Sequence, residues 1–61
     1  MKAKIKCQVL LDNEWRTVER FQKTKEGWLE WELLGVSGIA EPHQWKMFKN
    51  IKGIWIEVKK N

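Results

Sequence analysis

Residues 4–22, KIKCQVLLDNEWRTVERFQ, decide how this chain is read. Ile5, Cys7, Val9 and Leu11 alternate with Lys4, Lys6, Gln8 and Leu10, and Lys2 extends the polar series. A period of two places one set on each face of a strand. Residues 2–11 are therefore expected to form a β-strand with the Cys7 face inward. Asp12-Asn13-Glu14 breaks the alternation with residues that tolerate left-handed φ and bond their own backbone, so it reads as a turn. A second strand over 15–22 then returns antiparallel. A three-residue turn sets Leu11 opposite Trp15, Val9 opposite Thr17 and Ile5 opposite Phe21. That gathers the apolar residues on one face, which is what fixes a register. Its weak point is Cys7 opposite Glu19. A register one residue shorter pairs Lys6 with Glu19 but scatters the apolar set, so the longer turn is preferred.

Lys25-Glu26-Gly27 reads as the next hairpin turn, with Gly27 in the left-handed position of a bulged loop. Residues 28–34 return as a third strand, with Phe21 beside Leu29, Glu19 beside Trp31 and Thr17 beside Leu33. Arg20 then meets Glu30 on the other face, a cross-strand charge pair worth a few tenths of a kcal/mol. Gly35 and Gly38 flank a short fourth strand at 36–40. Pro42 suits the first position of a helix. Trp45, Phe48 and Ile51 recur at helical spacing, so a helix of at most two turns is expected over 43–50. Residues 54–59 close the fold, with Ile54, Ile56 and Val58 inward and Trp55, Glu57 and Lys59 outward.

The expected fold is mainly β with one short helix, an antiparallel β-β-β(-β)-α-β meander forming a single domain over residues 1–61. Its layout, short strands with one helical turn before the last, resembles that of small SH3-like barrels. The likeness is one of architecture, and fold does not imply function.

Composition narrows the class. A chain of 61 residues sits near the lower limit for independent folding. One Cys forms no internal disulfide, and one Cys with one His completes no four-ligand zinc site. Five Trp offer the bulk that a small core needs instead, and a homodimer is the other remedy. No cofactor is implied. No apolar stretch approaches a membrane span, and Val9-Leu10-Leu11 is too short for a signal-peptide core. With a lone thiol, these counts point to a soluble cytoplasmic protein.

Catalysis has little to stand on. Cys7 lies mid-strand on the inward face and reads as a small buried hydrophobe. His43 reads as a surface residue at the start of the helix. Glu30 and Glu32 share a strand face, but a domain this small has little room for the cleft that paired carboxylates serve. No Gly-rich phosphate loop or nucleophile elbow is present. The chain is read as a non-enzyme without a small-molecule substrate.

Binding fits better. Residues 1–25 carry net +4, residues 26–41 net −4 and residues 42–61 net +4. The isoelectric point of about 9.5 lies in the range of nucleic-acid-binding domains. The outer sheet face would offer Lys4, Lys6, Arg16 and Arg20 with Trp28 and Trp55, while Trp15 and Trp31 turn inward and Trp45 or Phe48 covers the core. Basic groups beside aromatics suit DNA or RNA, with phosphates on the cations and bases on the rings. Glu30 and Glu32, expected on that same face, argue against it. The alternative is a protein-binding module on the same Trp/Arg face: a small regulator or inhibitor of phage or mobile-element type, or a chain that associates with itself.

Overall fold

A computed structural model describes residues 4–60 and contains seven strands and one 3-10 turn. Strands β1 (Ile5–Leu11), β2 (Glu14–Thr17), β6 (Trp45–Ile51) and β7 (Ile54–Glu57) make an antiparallel four-stranded sheet in the order β2-β1-β6-β7. Strands β3 (Arg20–Lys23), β4 (Leu29–Leu33) and β5 (Val36–Ala40) make a three-stranded meander. Lys2, expected at the start of the first strand, lies outside the described residues.

The small β-rich character stands. Several details differ from expectation, each for a local reason. The strand expected over 15–22 is two strands in different sheets. The chain changes sheet at Val18-Glu19, where Val18 N–H donates to the Cys7 carbonyl and Glu19 N–H donates to the Glu32 carbonyl, both at 3.0 Å. Val18 turns into the core at this corner, as strands that switch sheets do. The shorter first turn is the one formed. Asp12 and Asn13 both have positive φ (50° and 66°), and Leu11 pairs with Glu14. Two left-handed residues give a turn whose twist matches that of the strands. Leu10 therefore meets Trp15, and Trp15 sits on the outer face instead of the core. The apolar scatter that argued against this register costs little, because β2 ends at Thr17.

The loop 25–27 forms as expected. Gly27 (φ 90°) bonds back to Thr24, and Thr24 N–H donates to the Trp28 carbonyl at 2.8 Å. Closing on Thr24 and Trp28 shifts the ladder by two residues, so Phe21 faces Trp31 and Arg20 faces Glu32. A shift of two keeps every side chain on its expected face. The fourth strand at 36–40 is present. It lies under Trp31, and a Cβ on Gly38 would come within 2.5 Å of that indole.

The helix expected over 43–50 is absent. Pro42–Gln44 make a single 3-10 turn, closed by Gln44 N–H donating to the Glu41 carbonyl, and Trp45–Ile51 are strand β6. Trp45 and Met47 alternate inward opposite Val9 and Cys7, while Lys46, Phe48 and Asn50 face out. Lys49 falls on the inward side. It lies opposite Ile5 and Ile56, past the end of the core. The two ladders remain separate among the described residues, so hydrogen bonds do not close a barrel.

The core lies between the sheets. Cys7, Val9, Val18, Leu29, Ala40 and Trp45 are buried, with Leu11, Phe21, Trp31, Leu33 and Met47 packed around them. Trp45 also donates its indole Nε1–H to the Gly27 carbonyl at 3.0 Å, tying β6 to the β3–β4 turn. Strand β7 extends beyond this core. Ile54 and Ile56 are on the inward side as expected but stay exposed.

Candidate functional site

The fold gives the four-stranded sheet an outer face of distinct composition. Residues directly opposite across a ladder share a face, so the registers assign it. Lys6, Gln8 and Leu10 come from β1, Trp15 and Thr17 from β2, Lys46, Phe48 and Asn50 from β6, and Trp55 and Glu57 from β7. Three aromatic rings and two lysines therefore share one surface. Lys6 Nζ stands 4.4 Å from the Trp55 ring centroid and 5.7 Å from that of Phe48, and Lys46 Nζ stands 4.1 Å from the Trp15 ring. Trp15 and Trp55 are each 37 % exposed, so both rings reach solvent while their lysines lie against them. Gln8 Nε2 donates to Thr17 Oγ1 at 3.4 Å and spans β1 and β2 between the aromatic groups.

The strand residues of this face carry two lysines and one carboxylate. Glu57 is that carboxylate, and neither Lys6 nor Lys46 makes a salt bridge among the described residues. Beside it, Lys60 lies 4.4 Å from the Trp45 ring centroid and donates to the Pro42 carbonyl. Burial pulls the Lys60 pKa below the usual lysine value. Glu57 opposes that shift and Lys46 reinforces it.

The six residues singled out from the sequence separate in space. Lys6 and Trp55 come together as a cation–aromatic pair. Lys4 just precedes β1, and its carbonyl accepts the Asn50 N–H at 2.9 Å, which places its backbone at the Trp55 end of the sheet. Arg16 lies opposite Val9, on the other side of the sheet from Trp15, with its guanidinium 3.2 Å from Glu14. Arg20 belongs to the three-stranded sheet, opposite Glu32. Trp28 sits at the β3–β4 turn, its N–H donating to Thr24 Oγ1 at 3.1 Å. The single contact surface expected for all six is therefore not formed, because the chain changes sheet at Val18. Trp15, Phe48 and Lys46, absent from the expected set, complete the face instead. The sequence signals that would have found them were the Asp12-Asn13 pair as a two-residue turn and the alternation Trp45-Lys46-Met47-Phe48.

The outer face of the three-stranded sheet differs. Arg20, Gln22, Glu30, Glu32, Ser37 and Ile39 line an open depression of about 580 Å³. Glu30 and Glu32 thus lie on a different sheet from Lys6 and Lys46.

The groups considered for catalysis stand apart. Cys7 is fully buried, and burial pushes its thiol up to about 11. His43 is exposed, 3.8 Å from Glu41. Among the described residues no three His, Cys, Asp or Glu side chains gather closely enough to hold a metal ion, and no helix is long and apolar enough to cross a membrane. No protein-family model matches the chain, and comparison with curated proteins and with solved structures finds no match.

Proposed function

We propose that the chain is a non-catalytic binding module that holds single-stranded nucleic acid, DNA or RNA, across the outer face of its four-stranded sheet. One observation carries the reading: Trp15, Phe48 and Trp55 share that face with Lys6 and Lys46, whose ammonium groups lie 4.1–5.7 Å from the ring centroids. Every base has a π-face, and stacking on an aromatic side chain is worth about 1–3 kcal/mol per base. A lysine over an exposed ring gains only about 0.5–1 kcal/mol, so it can leave the ring for a phosphate when a base takes its place. The objection that Glu30 and Glu32 would repel phosphate falls away, since both belong to the other sheet. Single strands are favoured over duplex because stacking needs unpaired bases. The SH3-like comparison enters only as layout: a meander, a 3-10 turn and a strand returning to β1. An intracellular setting would keep the lone thiol reduced.

The test is a titration with single-stranded oligonucleotides at ~50 and ~200 mM salt, followed by tryptophan fluorescence. With Lys6 and Lys46 each neutralising one phosphate, affinity should fall about sevenfold across that range, with quenching of the bound form. Absence of binding at the lower salt would end this reading and leave the same face to a protein partner. In that case Trp55→Ala would dominate the binding loss and salt would matter little.

A further inference from the structure

We propose that β7 is a homodimerisation edge, through which two copies pair antiparallel about a two-fold axis at Ile56 and join their four-stranded sheets into one. The inference goes beyond the ligand proposed above and does not depend on it.

The backbone supplies the first argument. Val58 N–H donates to the Met47 carbonyl at 2.8 Å. In an antiparallel ladder, bonded pairs alternate with unbonded ones. Ile56–Lys49 and Ile54–Ile51 are therefore the bonded pairs of the β6–β7 ladder. The N–H and C=O groups of Trp55 and Glu57 consequently point away from β6, toward the open edge. An edge strand with free backbone groups is a template for another strand unless it is blunted. The opposite edge, β2, is blunted by the exposed Arg16–Glu14 ion pair. β7 carries one charge, Glu57, at its C-terminal end.

The side chains supply the second. Ile54 (65 % exposed), Ile56 (48 %), Ile51 (48 %) and Ile5 (45 %) share the inward side of the sheet, where the core does not reach. Exposed Lys49 stands between Ile5 and Ile56, so the apolar strip beside the open edge consists of Ile51, Ile54 and Ile56. Pairing at β7 sets the two strips side by side along the seam, where Ile54 and Ile56 of each copy meet Val58 and Ile56 of the other. The β5 edge lacks this feature. Val36 and Ile39 lie on opposite faces, so one pairing cannot cover both.

Charge selects the register. A two-fold axis at Ile56 sets Ile56 against its own copy and Ile54 against Val58, which adjoins Met47 at the margin of the other core. It also sets Glu57 opposite Trp55 of the other copy, the ring over which Lys6 lies at 4.4 Å. Each Glu57 then has a Lys6 on both sides: its own, 5.7 Å from the Phe48 ring that Glu57 faces, and the other copy's, over Trp55. A register centred on Glu57 would oppose two carboxylates. One centred on Trp55 would set Glu57 against the turn residue Gly53. The dimer carries both outer faces on the same side of one sheet, so the Trp15–Phe48–Trp55 surface doubles in length.

Sedimentation equilibrium without nucleic acid, from about 1 µM to 1 mM, reads this directly. The apparent mass should rise with concentration from 7.4 kDa toward twice that value. Ile56→Lys, which would place two ammonium groups face to face, should weaken association at least tenfold, and Ile56→Thr should weaken it less, both with an unchanged far-ultraviolet circular dichroism spectrum. Glu57→Lys should also weaken it at least tenfold, and adding Lys6→Glu should restore it. A monomer throughout the range overturns the proposal. So does a dimer indifferent to Ile56→Lys, and failure of the charge swap to restore association overturns the register. Because no oligonucleotide is present, none of these outcomes bears on the nucleic-acid reading.

Discussion

The two sheets face solvent with opposite chemistry. The four-stranded sheet presents Trp15, Phe48 and Trp55 under Lys6 and Lys46, whereas the three-stranded sheet presents Glu30 and Glu32 around Arg20. Both are antiparallel and both back onto the same core. The difference arises from one event in the chain, the change of sheet at Val18-Glu19. Without that corner, the first basic block and the acidic block would lie on neighbouring strands of one surface, and the net +4 of the chain would be diluted there. With it, Glu30 and Glu32 lie on one sheet and Lys6 and Lys46 on the other, where Glu57 is the one strand carboxylate.

The two sheets are joined at Trp45. Trp45→Ala deletes the largest buried side chain of the four-stranded sheet and its bond to the Gly27 carbonyl. It should cost about 3–5 kcal/mol in urea unfolding, enough to unfold a domain of this size. Alkaline pH tests the same interior. The unfolded Cys7 thiol ionises near 9.0, while the folded chain holds the proton until about 11. The folded state thus binds more protons between those values, so the Cys7 contribution is fully present below pH 9 and is lost as pH rises through 11. The loss should reach about 2–3 kcal/mol, and Cys7→Ala should flatten that part of the stability–pH curve.

The outer faces are separated by a pair of substitutions. Trp55→Ala should weaken oligonucleotide binding by about 1–3 kcal/mol, the value of one stacked base. Arg20→Ala, on the acidic sheet, should leave the affinity and its salt slope unchanged in the same titration. Within the three-stranded sheet, Gly38→Ala forces a methyl against the Trp31 indole and should cost about 1–3 kcal/mol in thermal unfolding, with no effect on binding beyond the loss of folded protein. The smallest effect belongs to Leu34, which is 78 % exposed and held at φ 51° in the β4–β5 turn. A leucine in the left-handed region costs about 1–2 kcal/mol, so Leu34→Asn should raise stability by up to about 1 kcal/mol, measured as an increase in Tm.

The sequence carried the elements better than it carried their connections. The alternation of Ile5, Cys7, Val9 and Leu11 located β1 and two of its buried residues, and the glycines located β5 and the β3–β4 turn. Register was harder. It depended on whether two or three residues turn at Asp12, and a two-residue turn without glycine gives a weak local signal. The sheet change at Val18 left no local signal, since a β-branched residue fits a continuous strand as well as a corner. β6 was obscured by the helical spacing of Trp45, Phe48 and Ile51 after Pro42, which competes with the period of two in Trp45-Lys46-Met47-Phe48. Of the candidate face, Lys6 and Trp55 were legible from alternation within their own strands. Trp15, Phe48 and Lys46 depended on the register of β2 and the existence of β6, and both are tertiary properties.

The five indole N–H groups offer the most direct measurement, a titration of isotopically labelled protein with a single-stranded oligonucleotide followed by proton–nitrogen correlation spectra. The indole signals of Trp15 and Trp55 should shift first and furthest, with the backbone amides of Lys6, Lys46 and Phe48, while Trp28, Trp31 and the buried Trp45 hold their positions. Shifts centred on Arg20, Glu30 and Trp31, or a spectrum unchanged at low salt, would contradict the assignment of binding to the outer face of the four-stranded sheet.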